Sequence, residues 1–189
     1  RNTYTYSGWV KRSQLGTTSH YLFSAQDGAN VDFLGFDEDR ISWYNSYSGG
    51  VNSADKFRDA SAWYHVVFSV DSTQSTAADR VKIYVNNRQI TSFYSNLYPS
   101  QNRDFAINHT VAQYIGHYGG SYSSNFYLTE VHFIDGQALA ATDFGEYDSN
   151  SVWQPIEYAG TYGTNGFKLD FSDTSSNAAL GTDTSGNSN

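Results

Sequence analysis

The sequence predicts an all-β protein, an antiparallel two-sheet β-sandwich of the jelly-roll type, formed by one domain over residues 1–189. Aromatic residues make up 17% of the chain, with 16 Tyr and 12 Phe, and aromatic side chains favour strands. A helical protein would be richer in Ala, Leu, Glu and Lys. Short alternating segments recur along the chain with turn residues between them, which is typical of a sandwich.

Roughly ten to thirteen short strands are expected, with almost no helix. The composition of Asp27–Asn30 predicts a hairpin loop, and Asp135-Gly136 predicts a tight turn at the end of a strand. Residues 45–55 are polar and contain Gly49-Gly50, so they are predicted to form a loop. Only residues 138–146 suggest one or two helical turns. The predicted strands cover residues 3–10, 19–24, 31–36, 40–44, 63–70, 81–85, 89–93, 111–115, 125–134, 152–156 and 166–171.

Charge and cysteine usage exclude several classes of function. The net charge is −8, and no basic run exceeds the pair Lys11-Arg12, so we expect no nucleic-acid partner. No apolar run approaches the ~20 residues that a membrane span requires, so we expect no membrane insertion. The chain has no Cys, which excludes disulfides and thiolate metal sites. Because it begins with Arg1 and ends in loop-like composition, we expect a fragment of a longer polypeptide.

The acidic residues do not form a recognisable catalytic pair. Glycoside hydrolysis needs two carboxylates that face each other, which on one strand requires acidic residues at i and i+2 or i+4. The four glutamates, Glu38, Glu130, Glu146 and Glu157, have no such neighbours on a strand. No Ser lies in a Gly-x-Ser-x-Gly turn either. The sequence therefore favours a non-catalytic protein, with a glycoside hydrolase as the less favoured reading.

Four motifs resemble laminin-G-like domains of the concanavalin A-like lectin and glucanase class. Residues 63–67 with 81–87 are similar to a conserved strand pair of that class, and residues 126–139 are similar to its closing strand and turn. Residues 6–12 and 115–116 match its opening strand and the Ile-Gly before the closing strand, so the likeness covers about residues 4 to 147. The resemblance implies a jelly roll in which Glu130 is structural; Asn87 stands where Gly is usual.

A narrower likeness concerns residues 131–139, 143–147 and 162–171. These segments resemble the version of the domain found in tail-fibre and appendage proteins of marine bacteriophages. The resemblance implies a virion-surface or extracellular location.

The resemblance also implies a candidate calcium site at a rim of the sandwich. Asp27, Asn30 and Asp32 form one oxygen-rich loop, and Asp37 with Asp39 forms another. The alternative is that these residues only make turns through side-chain hydrogen bonds to the backbone.

Candidate ligand-binding residues are tyrosines in predicted loops, because sugar rings stack on exposed aromatic faces. The segment from 118 to 124 is the most typical of a recognition loop, with two tyrosines among Ser and Gly. Alternatively, these rings cover the sandwich edge or lie in a subunit interface. The candidates are Tyr47, Tyr94, Tyr98, Tyr118 and Tyr122, whereas Trp9, Trp43 and Trp63 lie in strands and are expected in the core.

Two functions remain open. The first is a recognition or attachment module that binds a carbohydrate or a host-surface polymer. The second is a structural subunit domain of a virion or appendage that self-associates within a larger assembly.

Overall fold

The computed structural model describes residues 1–16, 18–119, 122–187 and 189. This part of the chain contains sixteen strands, one four-residue α-helix (α1, Asn177–Leu180) and two 3-10 turns, Ala77–Asp79 and Ala141–Asp143. The strands are β1 Thr3–Arg12, β2 His20–Asp27, β3 Asn30–Asp37, β4 Arg40–Asn45, β5 Gly49–Lys56, β6 Trp63–Asp71, β7 Val81–Val85, β8 Arg88–Gln89, β9 Phe93–Asn96, β10 Gln113–Ile115, β11 His117–Tyr118, β12 Tyr122–Ser123, β13 Phe126–Asp135, β14 Gly145–Tyr147, β15 Trp153–Pro155 and β16 Phe167–Leu169.

Twelve of these strands form two six-stranded sheets. Sheet A has the order β16-β13-β1-β6-β7-β8, and sheet B has the order β10-β2-β3-β4-β5-β9. Neighbouring strands are antiparallel in both sheets. The predicted all-β, two-sheet antiparallel sandwich is confirmed.

The core lies between the two sheets and follows the alternation of each strand. Val81, Ile83 and Val85 of β7 point inward, as their spacing predicts, and Val70 pairs with Val81. From sheet B, Trp43 is fully buried, and its indole Nε1 donates to the Tyr4 hydroxyl at 3.1 Å.

Local turns agree with the sequence in some places and not in others. The hairpin between β2 and β3 has the predicted loop, with Asp27 opposite Asn30. The loop prediction for residues 45–55 is wrong, because Gly49–Lys56 forms β5 of sheet B. Only Val51 supplies a large apolar side chain to the core from that strand, so its sequence looks polar. Residues 138–146, where one or two helical turns were expected, form only the 3-10 turn Ala141–Asp143 before β14.

A second apolar cluster covers part of the outer face of sheet A. Phe144, Trp153, Tyr158 and Tyr162 pack there on Val67 and Ile134, among other residues. The segment that follows β13 therefore folds back over sheet A, and the outer face of that sheet is covered only in part. Among the described residues, no helix has the length and apolar character to cross a membrane.

Candidate functional site

The outer face of sheet B carries aromatic side chains at positions where a solvent-facing sheet normally carries polar ones. Tyr21 of β2, Phe33 of β3 and Tyr44 of β4 alternate with buried neighbours and remain partly exposed. Phe33 and Tyr44 are directly opposite in the ladder, and their rings stack at 4.9 Å between centroids. Phe33 also meets the Tyr21 ring edge-on at 5.1 Å.

The small β11–β12 hairpin extends these rings into a longer array. Tyr118 and Tyr122 face each other across this hairpin, with ring centroids 6.1 Å apart. Tyr118 in turn lies 5.2 Å from the Tyr21 ring. We call the continuous set Tyr122, Tyr118, Tyr21, Phe33 and Tyr44 the aromatic row. Tyr122 at its end is 61% exposed.

Two serine hydroxyls fix the hairpin against β2. The Ser24 hydroxyl donates to the His117 carbonyl at 2.7 Å, and the Ser124 hydroxyl accepts from the Tyr21 amide at 2.6 Å. Because these bonds flank Tyr118, the position of its ring over Tyr21 is held by the backbone. Burial raises the pKa of Tyr21 above its ordinary value, so this ring stays neutral at physiological pH.

The flank of the row near Tyr44 is polar and uncharged. Ser42 and Asn52 lie on neighbouring strands beside Tyr44, and the Ser42 hydroxyl donates to the Asn52 side-chain oxygen at 2.6 Å. Gly50 is the direct ladder partner of Tyr44 and presents no side chain to its ring. Ser42 is buried, so the surface itself combines apolar ring area with the Asn52 amide and the tyrosine hydroxyls, a composition that suits a hydroxyl-rich ligand.

The structure brings together only two of the five predicted ligand tyrosines. Tyr118 and Tyr122 belong to the aromatic row, although Gly120 and Ser121 of the same predicted segment lie outside the described residues. Tyr47 lies under the Arg103 guanidinium at 3.7 Å, and Tyr94 lies under that of Arg40 at 4.3 Å. Tyr98 packs against the core beside Phe93.

Sequence reasoning missed Tyr21, Phe33 and Tyr44 as members of a site. The alternation of these strands could have identified them, since each is an outward-facing aromatic residue between inward-facing residues. What the sequence lacked was the strand order that makes the three rings neighbours.

The three predicted calcium ligands have separate partners. The Asp27 carboxylate contacts His109 Nδ1 at 3.0 Å, and the Asn30 side-chain oxygen accepts from Arg103 at 2.9 Å. Asp32 is fully buried and accepts from the Asn45 side chain and from backbone amides of the loop before β10. Among the described residues, no three His, Asp or Glu side chains lie close enough to form a metal site. Calcium binding therefore stays a prediction.

Tertiary structure brings two distant glutamates to one lysine. The Lys168 ammonium lies 2.7 Å from Glu157 and 3.7 Å from Glu130. Burial disfavours the charge on Lys168, but the hydrogen bond to Glu157 and the field of both carboxylates raise its pKa above the ordinary value. These two carboxylates therefore share one cation as their partner.

A family model described as the concanavalin A-like lectin/glucanases superfamily matches residues 1–143 of the chain. No curated protein sequence matches. The matched range includes the aromatic row and both large sheets except β16, and ends near the start of the segment that covers sheet A.

Three solved structures are similar to this chain at low sequence identity. A sialidase from Trypanosoma rangeli, in complex with a difluoro-KDN compound, is 18% identical with a TM-score of 0.51; the match covers 74% of this chain and 21% of that one. Domain 4 of the extracellular arabinanase AbnA from Geobacillus stearothermophilus, in complex with arabinotriose, is 21% identical with a TM-score of 0.48, covering 73% and 63%. A heptameric SAP-like pentraxin from Limulus polyphemus is 16% identical with a TM-score of 0.45, covering 74% and 66%. The match thus spans less than two thirds of each of these longer chains.

Proposed function

Since the chain belongs to the concanavalin A-like lectin/glucanases superfamily, we propose that it is a non-catalytic recognition module that binds a carbohydrate polymer along the aromatic row. The observation that carries this proposal is the unbroken contact of five aromatic rings on the solvent side of sheet B. Aromatic surface that faces water costs free energy and favours association, so a contiguous apolar patch of this kind marks a contact surface.

The chemistry of the row favours a sugar chain over a small apolar ligand. Pyranose rings present a C–H face that packs on aromatic rings, and their hydroxyls need hydrogen-bond partners beside those rings. The Asn52 amide supplies such a partner at the Tyr44 end, and the tyrosine hydroxyls supply more along the row. A linear array across neighbouring strands suits an extended polymer, because successive sugar units then meet successive rings.

The surroundings of the glutamates support the non-catalytic part of the proposal. A glycosidase needs two carboxyl groups that flank the scissile bond and are free to act on it. Glu130 and Glu157 instead both contact the Lys168 ammonium, at 3.7 and 2.7 Å. Hydrolysis of laminarin or agarose by the purified protein, lost in Glu130→Gln, would contradict this part.

We further propose that the module serves in attachment, as part of a phage virion appendage or another surface protein, at the virion surface or outside the cell. The resemblance of residues 131–139, 143–147 and 162–171 to phage appendage proteins supports this setting. The net charge of −8 and the absence of Cys and Met suit an exposed particle that binds a host-surface polymer.

The alternative is a structural subunit domain that buries the row between copies of itself. Exposed rings at the end of the row, Tyr122 above all, would serve equally well in a protein interface. Binding and oligomeric state therefore have to be measured on the same preparation.

The test is a glycan array, followed by affinity electrophoresis in gels that contain the polysaccharides found positive. We expect the double variant Tyr118→Ala/Tyr122→Ala to bind about 10 to 100 times more weakly, because each stacked ring contributes about 0.5–1.5 kcal/mol. The control Tyr127→Ala removes a ring that is 63% exposed on β13 of the opposite sheet and should leave binding unchanged.

The melting temperature and sedimentation of each variant separate the two functions. Lost glycan binding at an unchanged melting temperature supports recognition by the row. A double variant that loses its oligomeric state, with no glycan bound by the parent protein, supports the structural alternative instead.

A further inference from the structure

A cleft opens on the outer face of sheet A where the covering segment ends. One wall is formed by β15 of that segment, and the other by the part of the sheet that it leaves bare. The cleft has a volume of about 500 Å³, within the ~300–1,000 Å³ range of small-molecule sites. We call it the tryptophan cleft; its main lining residues are Trp9, Trp63, Trp153, Glu130, Asn86 and Gln154.

Two of the three indoles are held rigidly through one buried histidine. The Trp153 Nε1 donates to His65 Nδ1 at 3.0 Å, so His65 carries its proton on Nε2 and donates to the Ser7 hydroxyl at 2.8 Å. The His65 ring also stacks on Trp9 at 5.1 Å and on Trp153 at 5.9 Å. Trp63 completes the wall and is 41% exposed, so the expectation that it belongs to the core is wrong.

The carboxylate of the cleft comes from a strained backbone position. Glu130 has φ +48°, in the left-handed region that side-chain-bearing residues disfavour. It lies at a bulge, because Glu130 and Val131 of β13 together oppose the single residue Gly8 of β1. Glycine is the usual residue at such a position, so a glutamate there carries a strain that glycine would avoid.

A second unfavourable feature lies in the same cleft. The Trp9 Nε1 donor is buried and finds no acceptor among the residues that the structure describes. A buried donor without an acceptor destabilises the fold, as does the strain at Glu130. Because strain and unsatisfied polar groups concentrate where a site needs a particular side chain, their coincidence here indicates a functional surface.

We propose that the tryptophan cleft is a second binding site, on the opposite sheet from the aromatic row, for a single uncharged pyranose ring. The indole faces pack on the C–H face of the sugar, while Glu130 and Gln154 bond its hydroxyls. A cationic ligand is disfavoured, because Lys168 lies 3.7 Å from the Glu130 carboxylate and already compensates its charge. An acidic sugar is disfavoured by Glu130 itself.

The test is an NMR titration that follows the four indole N–H signals of the ¹⁵N-labelled protein. The ligands are the methyl glycosides of glucose, galactose, mannose and N-acetylglucosamine. A single ring of about a dozen non-hydrogen atoms has a Kd on the order of millimolar, so each sugar is titrated to about 20 mM. We expect at least one glycoside to shift the signals of Trp63, Trp153 and Trp9. The signal of Trp43 should not move, since this indole lies in the core between the sheets.

Variants then assign the binding to the cleft. Trp63→Ala removes an exposed ring and Glu130→Gln removes only the charge; each should raise the Kd at least tenfold. The matched control Tyr127→Ala removes a ring that is 63% exposed on the same strand as Glu130 but outside the cleft, and should leave the Kd unchanged.

The outcomes separate this site from the aromatic row. Indole signals that stay fixed with all four sugars would overturn the proposal, even if a polysaccharide still binds through Tyr118 and Tyr122. Binding that survives in both Trp63→Ala and Glu130→Gln would overturn it as well. Indole shifts that persist in Tyr118→Ala/Tyr122→Ala support a cleft that acts independently of the row.

Discussion

Replacement of Asp32 by alanine tests whether this residue is a structural anchor or a metal ligand. Its carboxylate accepts hydrogen bonds from the Asn45 side chain and from the backbone amides of Ala106 and Ile107, the latter at 3.2 Å. Burial raises the pKa of Asp32, and these donors oppose that shift. The side chain therefore joins β3, β4 and the loop before β10 inside the protein.

The size of the effect follows from the groups left behind. Asp32→Ala leaves three buried donors without an acceptor, and each costs about 1–3 kcal/mol of stability. Removal of a buried carboxylate recovers part of this loss. We expect a net loss of about 3 kcal/mol or more in the free energy of unfolding. For a domain of this size, that lowers the melting temperature by about 6–12 °C. Asp32→Asn keeps one acceptor and should lose about half as much.

Urea unfolding measures the loss, once with calcium and once with EDTA. A structural anchor predicts the same loss in both buffers, and no comparable loss in Asp104→Ala, whose side chain is 78% exposed. A loss below about 1 kcal/mol would refute the hydrogen-bond reasoning. A loss that appears only with calcium would instead make Asp32 a ligand, as the sequence alone suggested.

Three further predictions concern the fold. Burial lowers the pKa of His65 to about 3 and that of His132 to about 4, so below pH 6.5 the unfolded chain binds protons that the folded protein does not. The free energy of unfolding should thus be highest above pH 6.5 and fall by about 2.7 kcal/mol per pH unit towards pH 4.5; an unfolding free energy that is flat between pH 7 and 5 would contradict this. Gly35→Ala places a methyl group 2.0 Å from a carbonyl oxygen of β2, so we expect insoluble or largely unfolded protein. A normal thermal unfolding curve by circular dichroism would contradict this and show that the strands can move apart there. Trp43→Phe leaves a cavity and removes the hydrogen bond to Tyr4, which should cost about 2 kcal/mol or more in urea unfolding; a smaller loss would mean that the core refills the space.

The strands that could be predicted from the sequence are those whose two faces differ. Val81–Val85 alternates between core and solvent, and the hairpin at Asp27–Asn30 has turn residues that permit few other conformations. Strand β5 could not be predicted, because its only large apolar residue facing the core is Val51 and its other residues are small or polar. Alternation of apolar and polar residues reflects which side chains are buried, so a strand that buries few large apolar side chains shows no clear alternation.

Strand alternation and the family motifs were enough to predict the sandwich, and Tyr118 and Tyr122 were candidates either for ligand binding or for packing at an edge or interface. That these two tyrosines continue a row begun by Tyr21 follows only from the folded arrangement, since strand order sets which outward-facing rings are neighbours. The tertiary structure also decided that Trp63 faces a cleft rather than the core. In both cases alternation tells which face of a strand a side chain occupies, but not what lies beside that face. Contacts between residues far apart in sequence form only when the sheets close.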